Sequence, residues 1–432
     1  MPSDITPPYA GDAYLHTAVR AFATSATETD DGDAPPKRKP GTADSRWPEY
    51  VLIFDTETTT DEAQRLNFGC YRFCRWTDDG RLLCVEEGLF HGDDLPRRFA
   101  DGYATLQAYV RDQWGNVAPA YSANMPLYSR RAFVDEVFWK AAGETGSQAL
   151  VAGFNLPFDL SRLAIRWGEA RDYRTKPDGE GAADTGRHRT REKRRNRFAG
   201  GFSFAVWDYR GTRDKEADPR RERSRYRPRV CVKHIDNKRA LTGFGGMKND
   251  AEGAQSEGTD TRSSFPGYFV DLRTLVFALT DRGHSLDSAC EAFGIAPDKG
   301  KMKAKEHGII TPGYIDYCRQ DVLATQHLLE KVREEYDRHP IDLQPTRAYS
   351  PASVAKAYLR AMGIVPPLAR QPDFPRDVLG HAMAAYYGGR AECRIRHVPV
   401  PVVYCDFLSM YPTVNVNMGL WRFITAERIE AV

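Results

Sequence analysis

Two acidic residues directly follow an apolar run in the first third of the chain. Asp55 and Glu57 come two positions apart after Val51–Phe54, a continuous apolar run that predicts a strand buried on both faces. Side chains two positions apart in a strand emerge on the same face, so these carboxylates are predicted to point the same way. Such a pair could hold a hard divalent cation. The alternative is a solvated strand end, because the D-x-E pattern is common by chance.

A third acid lies where a second predicted strand gives way to a helix. In the segment Asn155–Asp159 the strand ends, and Asp159 is predicted to lie at the N-terminus of the following helix. That helix is predicted from an apolar stripe formed by Leu160, Leu163, Ala164 and Trp167. The alternative role for Asp159 is that of a simple helix cap.

A later helix supplies the remaining polar pair. Thr311-Pro312 has the form of a helix start, with Thr as the N-cap and Pro in the first turn. Tyr317 and Asp321 are four positions apart on this helix, so a phenol and a carboxylate are predicted to project from one face. Taken alone, the pair favours an exposed polar face.

The ordered set Asp55-x-Glu57, Asn155-x-x-Phe158-Asp159 and Tyr317-x-x-x-Asp321 resembles a known group of motifs. They are the three exonuclease motifs of DnaQ-like, DEDDy-type 3′-to-5′ exonucleases, in the version attached to family B DNA polymerases. The resemblance covers roughly residues 50–332. It implies an α/β, ribonuclease H-like domain with a mixed central sheet flanked by helices. It also implies hydrolysis of DNA phosphodiesters by water, assisted by two Mg²⁺ or Mn²⁺ ions.

The resemblance assigns chemical roles to five residues. Asp55, Glu57 and Asp321 would bind metal directly, and Asp159 would complete the cluster directly or through water. Tyr317 would orient the attacking water. The sister DEDDh class has a histidine one position before this tyrosine, where this chain has Asp316.

The resemblance also implies contacts with single-stranded DNA. The residues concerned are Thr58, Asn155, Phe158, Ser285 and Leu286. An aromatic ring such as that of Phe158 can stack on an unpaired base, although core packing is an equal alternative for Phe158 and Leu286. A further lysine of the family could be Lys299, Lys301 or Lys303, and the spacing does not decide among them.

Two elements near the C-terminus resemble parts of a family B polymerase. Tyr386-Tyr387-Gly388-Gly389 is similar to the Y-x-G-G element of protein-primed enzymes, which implies DNA binding by Tyr386, Gly388 and Gly389. The segment Asp406–Pro412 is similar to polymerase motif A, with Met410 in place of Leu. By this resemblance Asp406 would bind metal, and Asp406, Ser409 and Tyr411 would bind a nucleotide.

The remainder of a polymerase active site is not found in the sequence. Only 26 residues follow Asp406, and they contain neither the K-x3-N-S-x-Y-G element nor the D-T-D pair. One carboxylate is too few to hold two metal ions. The sequence therefore predicts a C-terminally truncated polymerase, unable to polymerise unless a second chain completes the palm.

Composition narrows the class of protein. The 432 residues are 41% hydrophobic and 28% charged, as in soluble globular proteins. No apolar run approaches the ~20 residues needed to span a membrane, and the N-terminus has no secretory signal pattern. The eight cysteines show no C-x-x-C repeat, which favours free thiols in a reducing compartment. A cytoplasmic location is therefore predicted.

The chain is predicted to divide into four parts. They are a disordered tail at 1–48, an exonuclease domain at 49–340, a helical linker at 341–376 and an incomplete palm at 377–432. A basic hairpin insertion is predicted at 172–262. Within it, Arg187–Arg229 carries 16 Lys and Arg against 6 Asp and Glu, which indicates either a surface for a polyanion or a solvated charge run.

These inferences favour the N-terminal part of a family B DNA polymerase that has proofreading exonuclease activity. Its partners would be single-stranded 3′ ends and primer-template DNA. The main alternative keeps the fold without the chemistry, as a DNA-binding or assembly subunit or a decayed polymerase. A ribonuclease of the same family is disfavoured by the Y-x-G-G and motif A elements.

Overall fold

The computed structural model describes residues 47–113, 124–143, 148–170, 197–207, 228–245, 267–300, 307–384, 395, 398–401, 403 and 410–431, with the backbone of 21–24. The chain divides into two compact units. The larger unit is residues 40–358, and the smaller unit combines residues 1–39 with 359–432.

The described strands and helices, labelled in chain order, alternate through much of the larger unit. The strands are β1 Ala21–Thr24, β2 Tyr50–Thr58, β3 Leu66–Trp76, β4 Leu82–His91, β5 Leu127–Ser129, β6 Leu150–Gly153, β7 Arg166–Glu169, β8 Phe202–Ala205, β9 Val230–His234, β10 Ala240–Phe244, β11 Tyr268–Asp271 and β12 Arg428–Ala431. The helices are α1 Leu95–Arg98, α2 Ala100–Asp112, α3 Arg130–Phe133, α4 Trp139–Ala142, α5 Leu156–Arg162, α6 Leu272–Thr280, α7 Leu286–Ala292, α8 Pro312–Asp337, α9 Pro351–Ala361, α10 Pro367–Arg370, α11 Arg376–Ala384, α12 Met410–Asn417 and α13 Trp421–Thr425. A π-helical segment, Val134–Phe138, joins α3 to α4, and short 3-10 turns lie at Pro297–Lys299 and Pro345–Arg347.

A six-stranded mixed sheet forms the centre of the larger unit. Its strand order is β11-β6-β2-β3-β4-β5. β2 pairs antiparallel with β3 and parallel with β6, β3 pairs antiparallel with β4, and β5 and β11 add parallel strands at the two edges. The predicted α/β fold with a mixed sheet flanked by helices is therefore confirmed.

The apolar run of β2 accounts for its central place. Val51 and Ile53 pack into a cluster with apolar residues of α6, α7 and α8. Leu52 and Phe54, on the opposite face, pack with residues of α3, α5 and the π-helical segment. All four side chains are at most 1% exposed, so this strand is buried on both faces as its sequence predicts.

The long helix α8 lies across β2 and β3. It begins as predicted, because the Thr311 side chain accepts a hydrogen bond from the Tyr314 amide at 3.2 Å and Pro312 occupies the first turn. Ile315, Cys318 and Val322 recur at helical spacing and are buried against the sheet. Because this face of α8 packs on β2, the helix lies close to the end of that strand.

The insertion supplies three strands of a second, four-stranded sheet with the order β10-β9-β8-β7, all neighbours antiparallel, and β7 precedes the insertion. The predicted hairpin corresponds to β8 and β9. Phe204, Val206 and Trp207 lie within the basic segment 187–229 and are buried in the main apolar clusters. The described part of this segment is therefore folded; the rest lies outside the described residues.

The sequence prediction for the helix after Asp159 was wrong at its C-terminal end. α5 ends at Arg162, and Trp167 lies in β7 with 73% of its surface exposed. The change of direction begins at Ile165, whose amide donates to the Ala205 carbonyl at 2.8 Å. β-branched and aromatic residues favour such strand pairing, which here overrides the helical spacing of the apolar residues.

The smaller unit contains one pair of described strands. β1 and β12 are antiparallel, with Ala21 opposite Ala431; β1 thus lies inside the segment predicted to be a disordered tail. The Gln371 side chain donates to the Ile429 carbonyl at 3.0 Å and accepts from the Ile429 amide at 2.9 Å. Among the described residues of either unit, no helix is long and apolar enough to cross a membrane.

Candidate active site

The end of β2 carries the first two acidic side chains. Asp55 and Glu57 are both within β2, where alternate residues share a face. One carboxylate oxygen from each lies within 4.8 Å of the other and of the Cys318 sulfur. The predicted pairing of these carboxylates is thus present in the structure, and a thiol from α8 adjoins them.

Asp159 reaches the same strand from α5. Its Oδ1 atom accepts hydrogen bonds from the Thr56 amide at 3.1 Å and from the Thr56 hydroxyl at 2.7 Å. The side chain is only 3% exposed. The N-cap residue of α5 is Asn155, so Asp159 does not cap this helix. Its carboxylate is instead held by Thr56 of β2, the residue between Asp55 and Glu57 in sequence.

Electrostatics link these three acids to a fourth. The pKa of Asp55 is raised well above its usual value, first by burial and then by the negative charges of Asp159, Glu57 and Asp321. The pKa of Asp159 is raised to about 8, first by burial and further by Glu57, against the lowering effect of the Thr56 hydrogen bonds. Four acids from three distant segments therefore converge in one partly buried cluster.

Tyr317 lies one helical turn before Asp321 and is hydrogen-bonded to it. Burial, followed by the charge of Asp321, raises the pKa of this phenol, so it stays protonated at neutral pH. The preceding residue, Asp316, instead accepts a hydrogen bond from the Tyr109 hydroxyl of α2. The helix thus places the tyrosine, rather than the residue before it, beside the acid cluster.

A second tyrosine beside the cluster was not predicted from the sequence. The Tyr314 hydroxyl donates a hydrogen bond to Oε2 of Glu57. Its ring stacks against Tyr317, with the ring centroids 6.0 Å apart, and packs edge-on against Phe68 at 5.4 Å. The His307 ring contacts both tyrosines edge-on, at 5.7 and 5.8 Å. The spacing of Tyr314 three positions before Tyr317 is the only sequence signal for this contact.

Asp271 is a further residue that sequence reasoning missed. Its Oδ1 accepts from the amides of Asn155 and Leu156, both at 3.1 Å, and its Oδ2 accepts from the Thr274 amide at 3.1 Å and hydroxyl at 2.5 Å. It therefore caps α6 and also holds the loop that leads to Asp159. The sequence YFVDLRT at the strand-to-helix junction contains the D-x-x-T pattern of an N-cap. No local pattern indicates that the same Asp also holds the loop that leads to Asp159.

Three of the residues expected to contact DNA lie near the acids in sequence. Thr58 follows an irregularity in the β2–β3 pairing between Glu57 and Thr58. Asn155 is exposed and has a left-handed backbone with φ of 93°, a conformation that Asn tolerates better than most residues. The Phe158 ring is partly buried beneath the Arg162 guanidinium, at 4.6 Å from its centroid.

The other expected contacts have different surroundings. The Ser285 hydroxyl accepts from the Ser288 amide at 3.2 Å and caps α7. Leu286 is buried in the apolar cluster, in keeping with the core-packing alternative. Lys299 lies in an exposed turn, and Tyr411 is exposed in α12. Outside the described residues lie Lys301, Lys303, Tyr386, Gly388, Gly389, Asp406 and Ser409, whose roles remain predictions.

The donor set suits a hard divalent cation. Mg²⁺ and Mn²⁺ prefer carboxylate oxygens, and the cluster offers four carboxylates whose mutual repulsion a cation would relieve. Asp159 keeps one oxygen on Thr56, so its other oxygen is the one available to an ion or to an ion-bound water. The residues present therefore fit the metal that the resemblance implies.

Comparison with known proteins supports part of this interpretation. Residues 295–427 match the family model described as DNA polymerase type B, organellar and viral. No curated protein and no solved structure matches the chain significantly. The family match supports a family B DNA polymerase of the organellar and viral type, an enzyme of DNA replication that acts on DNA. DNA polymerases generally use divalent metal ions.

Proposed function

We propose that the larger unit is a metal-dependent 3′-to-5′ exonuclease that hydrolyses DNA phosphodiesters and serves as the proofreading domain of a family B DNA polymerase. The proposal is carried by the carboxylates of Asp55 and Glu57, which have oxygens within 4.8 Å of each other, together with Asp159 and Asp321, whose negative charges raise the pKa of Asp55. The mixed sheet flanked by helices is compatible with the ribonuclease H-like fold expected for this activity.

The acids would bind and orient the ions and the substrate. Asp55, Glu57 and Asp321 are the proposed direct ligands of two Mg²⁺ or Mn²⁺ ions, with Asp159 completing the set. Bound ions of this kind stabilise the attacking and leaving oxygens of an in-line displacement. The two hydrogen bonds from Thr56 fix the rotamer of Asp159, so its second oxygen is held in one direction before metal binds.

Tyr317 is proposed to position the attacking water. Its raised pKa keeps the hydroxyl protonated, so it acts as a hydrogen-bonding group rather than as a general base. Its contact with Asp321 restrains the ring next to the acid cluster. A water that donates a hydrogen bond to the Tyr317 hydroxyl oxygen would be held near the scissile phosphate in a fixed orientation.

The proposed substrate is a single-stranded 3′ end. Phe158 and Asn155 lie on the loop and first turn that also present Asp159, so a base on Phe158 would bring its phosphate near the acids. A partly exposed ring can stack on any base, as proofreading requires. Arg162, over the Phe158 ring, adds a positive charge that favours the phosphate backbone.

The test is degradation of a 5′-labelled single-stranded DNA in Mg²⁺, with Asp55→Ala and Asp321→Ala as variants. We expect a ladder that shortens from the 3′ end, and a loss of rate of at least about 100-fold in each variant. The matched control is Glu335→Ala, which removes a partly exposed carboxylate further along α8 that pairs with Arg338 and should retain full activity.

Three arms make the outcome decisive. A 3′-blocked DNA should resist degradation, and an RNA of the same sequence tests the choice of nucleic acid. Chelation of divalent ions should abolish activity. If wild type, Asp55→Ala and Asp321→Ala bind DNA equally well and are equally inert, the proposal fails and a catalytically silent DNA-binding subunit becomes the better description.

A further inference from the structure

A sulfur atom lies on one side of the acid cluster. The Cys318 sulfur lies 3.9 Å from Oδ2 of Asp55 and 3.9 Å from the Asp55 carbonyl. It falls within 4.8 Å of a Glu57 oxygen as well. Cys318 is fully buried, so its sulfur is held in place by the packing of α8 on β2.

This spacing suits a tetrahedral ion that accepts sulfur. An ion about 2.3 Å from sulfur and about 2.0 Å from oxygen separates those two atoms by about 3.5 Å. The observed 3.9 Å between Cys318 and Asp55 therefore needs to close by only a few tenths of an ångström. Mg²⁺ rarely takes sulfur ligands, whereas Zn²⁺, Co²⁺ and Cd²⁺ accept mixed sulfur and oxygen sets.

We propose that Asp55, Glu57 and Cys318 form a binding site for a thiophilic divalent ion, Zn²⁺ in particular, that overlaps the proposed Mg²⁺ site. When the metal–sulfur bond forms, the thiol proton is released to solvent. Because two of the three ligands are shared, Zn²⁺ and Mg²⁺ compete for Asp55 and Glu57. The consequence for activity, inhibition of hydrolysis by low Zn²⁺, rests on the proposed exonuclease function, whereas the ion site itself does not.

The direct test is the absorption spectrum of the full chain titrated with Co²⁺ under reducing conditions. A sulfur-to-metal charge-transfer band reports thiolate ligation independently of any enzymatic activity. We expect the band in the wild type and its loss in Cys318→Ser. We also expect Cys318→Ser to bind Zn²⁺ more weakly by at least about 10- to 100-fold, the loss typical of residues that only support a metal ligand.

Two other cysteine variants sharpen the assignment. Cys290→Ser is the matched control, because Cys290 is also buried but belongs to α7 rather than to this cluster; it should keep the band. Cys70 is hydrogen-bonded to Cys318 and could supply the sulfur in its place. A band that persists in Cys318→Ser but disappears in Cys70→Ser would overturn the assignment to Cys318.

The nuclease assay separates this inference from the proposed function. Wild type should lose activity as Zn²⁺ is added against a fixed Mg²⁺ concentration, and Cys318→Ser should keep its Mg²⁺-dependent activity and resist Zn²⁺. Retained activity also shows that the variant is folded. An active nuclease with no Co²⁺ band refutes the sulfur site alone, whereas a band in an inactive protein refutes the nuclease alone.

Discussion

Asp159→Asn should stabilise the metal-free protein while abolishing its proposed activity. Both hydrogen bonds from Thr56 end on the same atom, Oδ1 of Asp159, so the amide oxygen of Asn can accept them both. The substitution removes a buried charge that Glu57 and Asp271 oppose. A loss of function combined with a gain in stability is therefore expected at this position.

The size of the gain depends on pH in a defined direction. The pKa of Asp159 is about 8 in the folded protein and 3.8 ordinarily, so the folded state holds its proton over that interval while the unfolded chain has lost it. The contribution of Asp159 to the free energy of unfolding therefore falls as the pH rises from about 4 to about 8. At about 1.4 kcal/mol per pH unit, the largest stability difference that Asp159 could produce over this interval is about 6 kcal/mol. Because water entering the cluster lowers the cost of the buried charge, the expected difference is about 1–3 kcal/mol.

The measurement is urea unfolding of wild type and Asp159→Asn, with a chelator, at pH 5 and pH 8. The variant should be the more stable at pH 8, and the gap should shrink at pH 5. Saturating Mg²⁺ should stabilise the wild type more than the variant. Glu62→Gln, which neutralises an exposed acid, is the control and should show no such pattern.

One result would refute the reasoning directly. If Asp159→Asn is less stable than wild type by the same amount at both pH values, burial of the charge is not the dominant cost at this position. Asp159→Ala provides the internal comparison, because it removes the acceptor of both Thr56 hydrogen bonds. It should be less stable than the Asn variant by about 1–3 kcal/mol.

Three further substitutions test the supports of the cluster. Asp271→Ala leaves the amides of Asn155–Leu156 without their acceptor and should lower the free energy of unfolding by about 3–5 kcal/mol; an unchanged urea midpoint would contradict this. Tyr314→Phe keeps the ring but removes the donor to Glu57. The Mg²⁺ concentration for half-maximal hydrolysis should therefore rise several-fold, while the rate at saturating Mg²⁺ changes less. An equal loss of rate at all Mg²⁺ concentrations would argue against a role of Tyr314 in positioning Glu57. Glu87→Gln removes the carboxylate that the buried Arg72 and the partly buried Arg319 share and should cost about 3–5 kcal/mol in urea unfolding, with a neutral result excluding a structural role for the ion pairs.

The elements that carry the acids were predictable because their signals are local. Val51–Phe54 is an uninterrupted apolar run, and Thr311-Pro312 is a cap followed by a first-turn proline; each depends on neighbours a few residues away. The i,i+4 spacing of Tyr317 and Asp321 likewise requires only that the helix form. Resemblance to the exonuclease motifs then indicated which distant segments should meet.

What the sequence did not reveal depends on contacts between distant residues. The bonds from Asp271 to the Asn155 loop join residues more than a hundred positions apart, and no local pattern records which amides a carboxylate will meet. The end of α5 was misplaced for a related reason. Trp167 continues a helical apolar spacing, but its strand is determined by pairing with β8, which lies within the insertion further along the chain.

The support behind α8 explains how a cluster of mutually repelling acids can be held together. Glu87 of β4 binds Arg319 of α8 at 2.7 Å and Arg72 of β3 at 3.3 Å, and Arg72 also donates to Gln326 of α8 at 2.7 Å. These buried bonds tie the helix to the sheet on either side of Asp321 in sequence. Breaking such pairs is costly because it leaves a buried charge uncompensated. The helix is therefore held against the repulsion that Asp321 experiences from Asp55, and the cluster can exist before a cation arrives to relieve it.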